Sequence, residues 1–123
     1  MRYLTARKRA EGKGAARSGT EHHWHMTISA VGLALLIPTF LYIFGSTLGG
    51  THEEVIASFE RPGVAILTAL VLFVGLQHFR HGAEIAIEDY ARGNTRKILL
   101  ISVACLSYGL IATGLFALGK IAL

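Results

Sequence analysis

The stretch PGVAILTALVLFVGLQHFRHGAEIAIEDY, residues 62–90, decides the fold. Its first 18 residues, Pro62 to Phe79, contain no Lys, Arg, Asp or Glu, and the charges begin only at Arg80. A helix that crosses a bilayer needs about 20 mostly apolar residues. Two further runs are equally free of charge: His22 to His52, of 31 residues, and Ile98 to Gly119, of 22. The chain has 123 residues, 52% of them hydrophobic and 16% charged. Three such runs leave almost nothing for a water-soluble domain. The expected fold is therefore an all-α membrane protein of three transmembrane helices. A soluble enzyme and a disordered tail protein are excluded. So is a disulfide scaffold, because Cys105 is the only cysteine and lies inside the third run.

The charges orient these helices. Arg2, Arg7, Lys8, Arg9, Lys13 and Arg17 precede the first run, and Arg92, Arg96 and Lys97 lie between the second and third. The opposite side has Arg61, among Glu53, Glu54 and Glu60, and Lys120. The positive-inside rule places the N-terminus and the 92–97 loop in the cytoplasm and the C-terminus outside. A bacterial cytoplasmic membrane is expected ahead of a mitochondrial inner membrane, whose matrix side would take the same charges. The net charge of +4 reads as topology and not as nucleic-acid binding, because no aromatic-interleaved basic motif accompanies it. Residues 1–24 lack the apolar core and cleavage site of a secretory signal. They read as a basic cytoplasmic arm ordered by a partner, with a solvated basic tail as the alternative. Residues 25–123 form the membrane domain, with helices expected over 25–48, 62–91 and 96–120.

Local signals refine those bounds. Ser18 and Thr20 are candidate caps at the approach to the first helix. Pro38 is expected to kink it, and Gly45 with Gly49 offers a GxxxG close-packing pattern before Gly49-Gly50 ends it. Pro62 suits the first turn of the second helix, and Gly93-Asn94 closes it. The third helix has only Cys105 and Tyr108 as titratable side chains beyond Arg96 and Lys97, and reads as structural.

Chemistry concentrates in the second helix. Ionisable groups in a span are costly and are functional candidates by default. At about 100° per residue, Gly75, His78, Gly82, Ile85 and Asp89 fall on one stripe, with His78 and Asp89 roughly 16 Å apart along the axis. Glycines on either side of an imidazole suggest a slot for a flat cofactor, with a second site at its edge. Three readings of His78 stand side by side: an imidazole bonded to a neighbouring helix with glycines for close packing, a haem-iron ligand, or a proton relay. His81 is about 60° around the helix and is the weaker ligand candidate. Arg80 lies about 160° from His78 and is spaced to pair with Glu84. It could instead snorkel to the interface or reach a haem propionate. Asp89 and Tyr90 fall at the membrane boundary. Tyrosine is common there as an anchor, but a phenol can also donate to a quinone carbonyl while a carboxylate positions it or passes protons.

The string His78-x-x-x-Gly82-x-x-x-x-x-Glu88-Asp89-Tyr90 resembles the second-helix signature of the small hydrophobic membrane-anchor subunit (the D-type subunit) of succinate dehydrogenase, respiratory complex II. Ser18-Gly19-Thr20-Glu21-His22-His23-Trp24 is similar to an element that members carry before the first helix. The resemblance covers the arm, the three helices and the inner loop. It departs at His25-Met26-Thr27-Ile28-Ser29-Ala30, where many members have Gln-Arg, so no role of that arginine is carried over. Glu84 also stands where members often have an uncharged residue.

What the resemblance implies is a subunit with no dehydrogenase chemistry of its own, forming half of a six-helix heterodimeric anchor. His78 would be an axial ligand of haem b, and so the metal-binding residue, and Asp89 and Tyr90 would belong to the ubiquinone site. The implied partners are a flavoprotein with FAD, an iron–sulfur subunit with its clusters, and a second, cytochrome b-type membrane anchor. Three alternatives remain: an anchor of a quinol:fumarate reductase, a small proton-coupled transporter using Glu84 or Asp89, and a cofactor-free assembly subunit.

Overall fold

A computed structural model describes residues 5–11 and 19–123. The described residues are helical throughout except for short connections: α1 (Ala6–Glu11), α2 (Gly19–Ser46), α3 (His52–Phe59), α4 (Pro62–Tyr90) and α5 (Gly93–Ala122). Three of these, α2, α4 and α5, are long and apolar enough to cross a membrane. At 28, 29 and 30 residues, each is roughly 42–45 Å long and exceeds a hydrocarbon core of about 30 Å. Their ends therefore reach the polar interface. The chain runs up, down and up: α4 packs antiparallel against both α2 and α5, and α3 lies at the end where α2 leaves off, touching α4 and α5.

Burial is inverted relative to a soluble bundle. Among the described residues only Leu33 and Ile111 are buried hydrophobics, while Val31, Leu35, Phe73, Ile101 and Phe116 are exposed. Lipid takes the place of a core for such side chains, so contact between helices comes from small residues and polar bonds. Gly114 shows this on the α4–α5 seam. A Cβ there would overlap Leu72 Cδ2, so any larger residue requires the Leu72 side chain to move off the seam.

Several boundaries differ from the sequence expectation. α2 begins at Gly19 and not near residue 25, so Thr20 is its second residue and does not cap it. Ser18 lies outside the described residues. α2 continues through Pro38, which leaves the Ala34 carbonyl without its helical donor. It ends at Ser46, so Gly45 and Gly49 do not share a helix, and neither has a neighbour within 4 Å where a Cβ would stand. Gly49 adopts φ +85 in the turn after the helix, a conformation for which glycine carries no steric cost. The segment between the first two runs holds the short α3, fixed by a capping box. The Thr51 amide donates to Glu54 Oε2 at 2.8 Å, and the Glu54 amide donates to Thr51 Oγ1 at 3.3 Å. Pro62 is the first residue of α4, and the helix ends at Tyr90 with Ala91 as its cap.

Candidate functional site

The α2–α4 seam has a definite register. The ideal Cβ position at Gly75 lies 3.9 Å from Leu33 Cδ2, and that at Gly82 lies 3.9 Å from Met26 Cε. Between them, Ser29 Oγ is 2.8 Å from His78 Nδ1. Residues 26, 29 and 33 of α2 thus descend against 82, 78 and 75 of α4, the matched three-four spacing of two antiparallel helices. The glycines beside His78 therefore meet α2 side chains at ordinary contact distance, as close packing requires. Room beside the imidazole is present along the same stripe, in a groove of about 600 Å³ lined by His22, His23, Met26, Ala30, His78 and Ile85.

Ser29 Oγ lies 3.0 Å from the Met26 carbonyl and 2.8 Å from His78 Nδ1. Its one hydroxyl proton can serve either; when it goes to the Met26 carbonyl, His78 donates from Nδ1 and Nε2 keeps its lone pair. An imidazole held through Nδ1–H with Nε2 open is the arrangement of a metal-ligating histidine with its outer-shell partner. The donor chemistry of His78 therefore fits a haem iron, although the bond to a neighbouring helix is real as well.

His81, three residues on, turns the other way around α4. Its Nδ1 is 2.8 Å from the Gln77 carbonyl and donates to it, which leaves Nε2 without that proton and with no hydrogen bond among the described residues, while the ring itself packs toward α2. There it meets His22, with ring centroids 4.9 Å apart and planes tilted by 32°. His25 lies beyond, at 6.4 Å. Arg80 forms the expected pair with Glu84, at 3.1 Å. It also donates to the Tyr108 hydroxyl on α5, with its guanidinium 5.1 Å from the centre of that ring. A second groove, of about 480 Å³, opens on the far side of the seam and is lined by His25, Ser29, Phe73, Gln77, Arg80 and His81.

Asp89 and Tyr90 stand apart from this cluster. Both are exposed at the last turn of α4, Tyr90 at 92%, and neither makes a hydrogen bond or ion pair among the described residues. Their neighbour Glu88 is engaged with Arg96 at 2.7 Å. His78 and Asp89 share a helix face but are not brought together within this chain. The residues missed in the sequence, His22 and His25, follow the spacing rule already applied to α4: His22, His25, Ser29, Gly32 and Leu36 form one stripe of α2 at steps of 3, 4, 3 and 4.

Comparison with known proteins accounts for this architecture. The chain is 44% identical over its full length to the succinate dehydrogenase hydrophobic membrane anchor subunit of Paracoccus denitrificans, covering 95% of that protein. It is 31% identical over 101 residues to the subunit of the same name from Rickettsia bellii, covering 80% of each chain. No solved structure matches. The model of the succinate dehydrogenase/fumarate reductase transmembrane subunit family matches residues 1–115, and the chain belongs to that family.

Proposed function

We propose that this membrane anchor holds a succinate:ubiquinone oxidoreductase at the bacterial cytoplasmic membrane, supplies one axial haem b ligand through His78, and completes part of the ubiquinone pocket through Asp89 and Tyr90. The observation that carries the reading is the Ser29 Oγ–His78 Nδ1 bond, which holds the imidazole by one nitrogen beside a groove within the span and leaves the other nitrogen for a ligand bond. Haem b supplies a one-electron centre when bound. The protein's part is to fix the imidazole plane through the Ser29 bond at Nδ1 and to line the site with Met26, Ala30 and Val31.

Quinone reduction takes up protons as well as electrons. The Tyr90 hydroxyl can donate to a quinone carbonyl, and the Asp89 carboxylate can position that phenol or relay protons from the aqueous side. Their exposure at the end of α4 leaves the pocket to be closed by other chains. These are a flavoprotein with FAD, an iron–sulfur subunit that delivers the electrons, and a second anchor that completes the six-helix unit and the haem ligation. The relatives named for succinate dehydrogenase favour this direction over quinol:fumarate reduction, which would use the same residues in reverse.

Tyr90→Phe and Asp89→Asn test the pocket. A lost hydrogen bond costs about 0.5–1.5 kcal/mol, roughly a two- to twelve-fold drop in succinate-to-quinone turnover. Reduction of a soluble artificial acceptor by the flavoprotein should stay intact. Equal loss of both activities would point to failed assembly, and loss of neither would leave Tyr90 an interfacial anchor. The proposed orientation predicts that a reporter after Leu123 is labelled from outside and one near Asn94 only from the cytoplasm; reversed labelling contradicts it.

A further inference from the structure

We propose that His22, His81 and Glu84 form a zinc site that clamps the first turns of α2 to the cytoplasmic end of α4, separate from the haem histidine. One ligand atom from each of the three lies within 4.8 Å of the other two, and all three side chains are partly buried. Two imidazoles and a carboxylate are a donor set that suits zinc, which takes three protein ligands and keeps a fourth position for water. Bonds of about 2.0–2.2 Å to nitrogen and oxygen require only small side-chain rotations from this spacing.

Two further observations point to a cation. The first is the hydrogen bond from His81 Nδ1–H to the Gln77 carbonyl at 2.8 Å. Because a carbonyl only accepts, it puts the His81 proton on Nδ1 and leaves Nε2 as the nitrogen available to a cation, the outer-shell support expected of a metal-bound histidine. The second is the loose hold on Glu84. Its Oε1 lies 3.1 Å from Arg80 Nε, yet that buried N–H has no hydrogen-bond acceptor. Arg80 also donates to Tyr108 on the other side, so it keeps one hydrogen-bond partner when Glu84 turns to a cation. The two imidazoles, 4.9 Å apart, repel if both are protonated and gain a common partner if a divalent cation sits between them.

The site takes other donors than His78, although His22 also borders the groove beside that imidazole. His78 is tied to Ser29 on the seam itself, whereas His81 is tied to its own helix and reaches the α2 turn that contains His22. A zinc ion there would bind the start of α2 to α4 one helical turn from His78.

The test uses the intact complex, purified in mild detergent, dialysed against a chelator and titrated with zinc chloride. Bound zinc is measured by elemental analysis after gel filtration. Wild-type complex should bind one zinc per copy of this subunit more than the His22→Ala or His81→Ala complex. Glu84→Gln should weaken that binding at least tenfold, and His52→Ala, at the other end of the molecule, should change nothing. Equal zinc content in wild type and both histidine variants overturns the proposal. If a histidine variant fails to assemble, zinc-edge absorption on the wild-type complex decides. Two imidazole nitrogens and an oxygen at about 2.0–2.2 Å support the site, and a sulfur shell or no bound zinc rejects it. Zinc content is read independently of haem, so a variant that loses haem but keeps its zinc speaks only against the haem assignment.

Discussion

The two seams of α4 are built from different materials. Against α5, the close approach rests on Gly114 beneath Leu72, with Ser107 at 1% and Ile111 at 7% exposure forming the tightest part of the molecule. Against α2, the approach is made by Gly75 and Gly82 under Leu33 and Met26, but a serine, several histidines, a glutamine and an arginine gather around them. Both seams join helices that lipid alone would not drive together. Only one holds imidazoles that are hydrogen-bonded at one nitrogen and leave the other open. A purely structural seam has no need of such donors, and a polar group in a span is retained at a cost. The contrast sets a packing interface beside one that offers the donors the proposed haem ligation needs.

Two serines sharpen the comparison. Ser29 is hydrogen-bonded to His78 Nδ1, so Ser29→Ala removes the group that fixes the imidazole. Loss of such an outer-shell partner typically costs 10- to 100-fold in metal affinity. The expected result is weakened haem retention and a shifted b-type spectrum in a complex that still assembles. An unchanged spectrum and haem content would mean that Ser29 only packs. Ser107 is more deeply buried than Ser29, and its hydroxyl has no partner among the described residues. A buried unpaired hydroxyl costs about 1–3 kcal/mol, so Ser107→Ala should leave the spectrum unchanged and hold or raise the thermal midpoint of the complex. A fall of the midpoint, or any haem loss, would show that the α5 seam carries function too.

The three membrane-crossing helices were legible because long charge-free runs are a one-dimensional signal, set by bilayer thickness and not by tertiary contacts. Short polar elements were harder. Thr51-x-x-Glu54 is a capping-box signature, yet it sits among acidic residues that read as a loop, and the eight residues of α3 are too few for periodicity to stand out. The early start of α2 was hidden because Glu21, His22 and His23 break the apolar run, although a polar sequence can be helical beyond the membrane edge. Spacing on α4 placed His78 and Arg80–Glu84 correctly on their faces but could not say which neighbour each face meets. That depends on the α2 register, which exists only once Met26, Ser29 and Leu33 are set against Gly82, His78 and Gly75. For the same reason the sequence could not show the partnership of Arg80 with Tyr108, 28 residues away.

The most direct measurement is the reduced-minus-oxidised visible spectrum of the assembled complex, normalised to its flavin content, for His78→Ala beside His81→Ala. If His78 Nε2 is the axial ligand, His78→Ala loses the b-type bands or converts them to those of a haem with one ligand missing, while His81→Ala retains them. A normal spectrum in the His78 variant, or its loss in the His81 variant alone, would contradict the assignment of the iron ligand to the α2–α4 seam at His78.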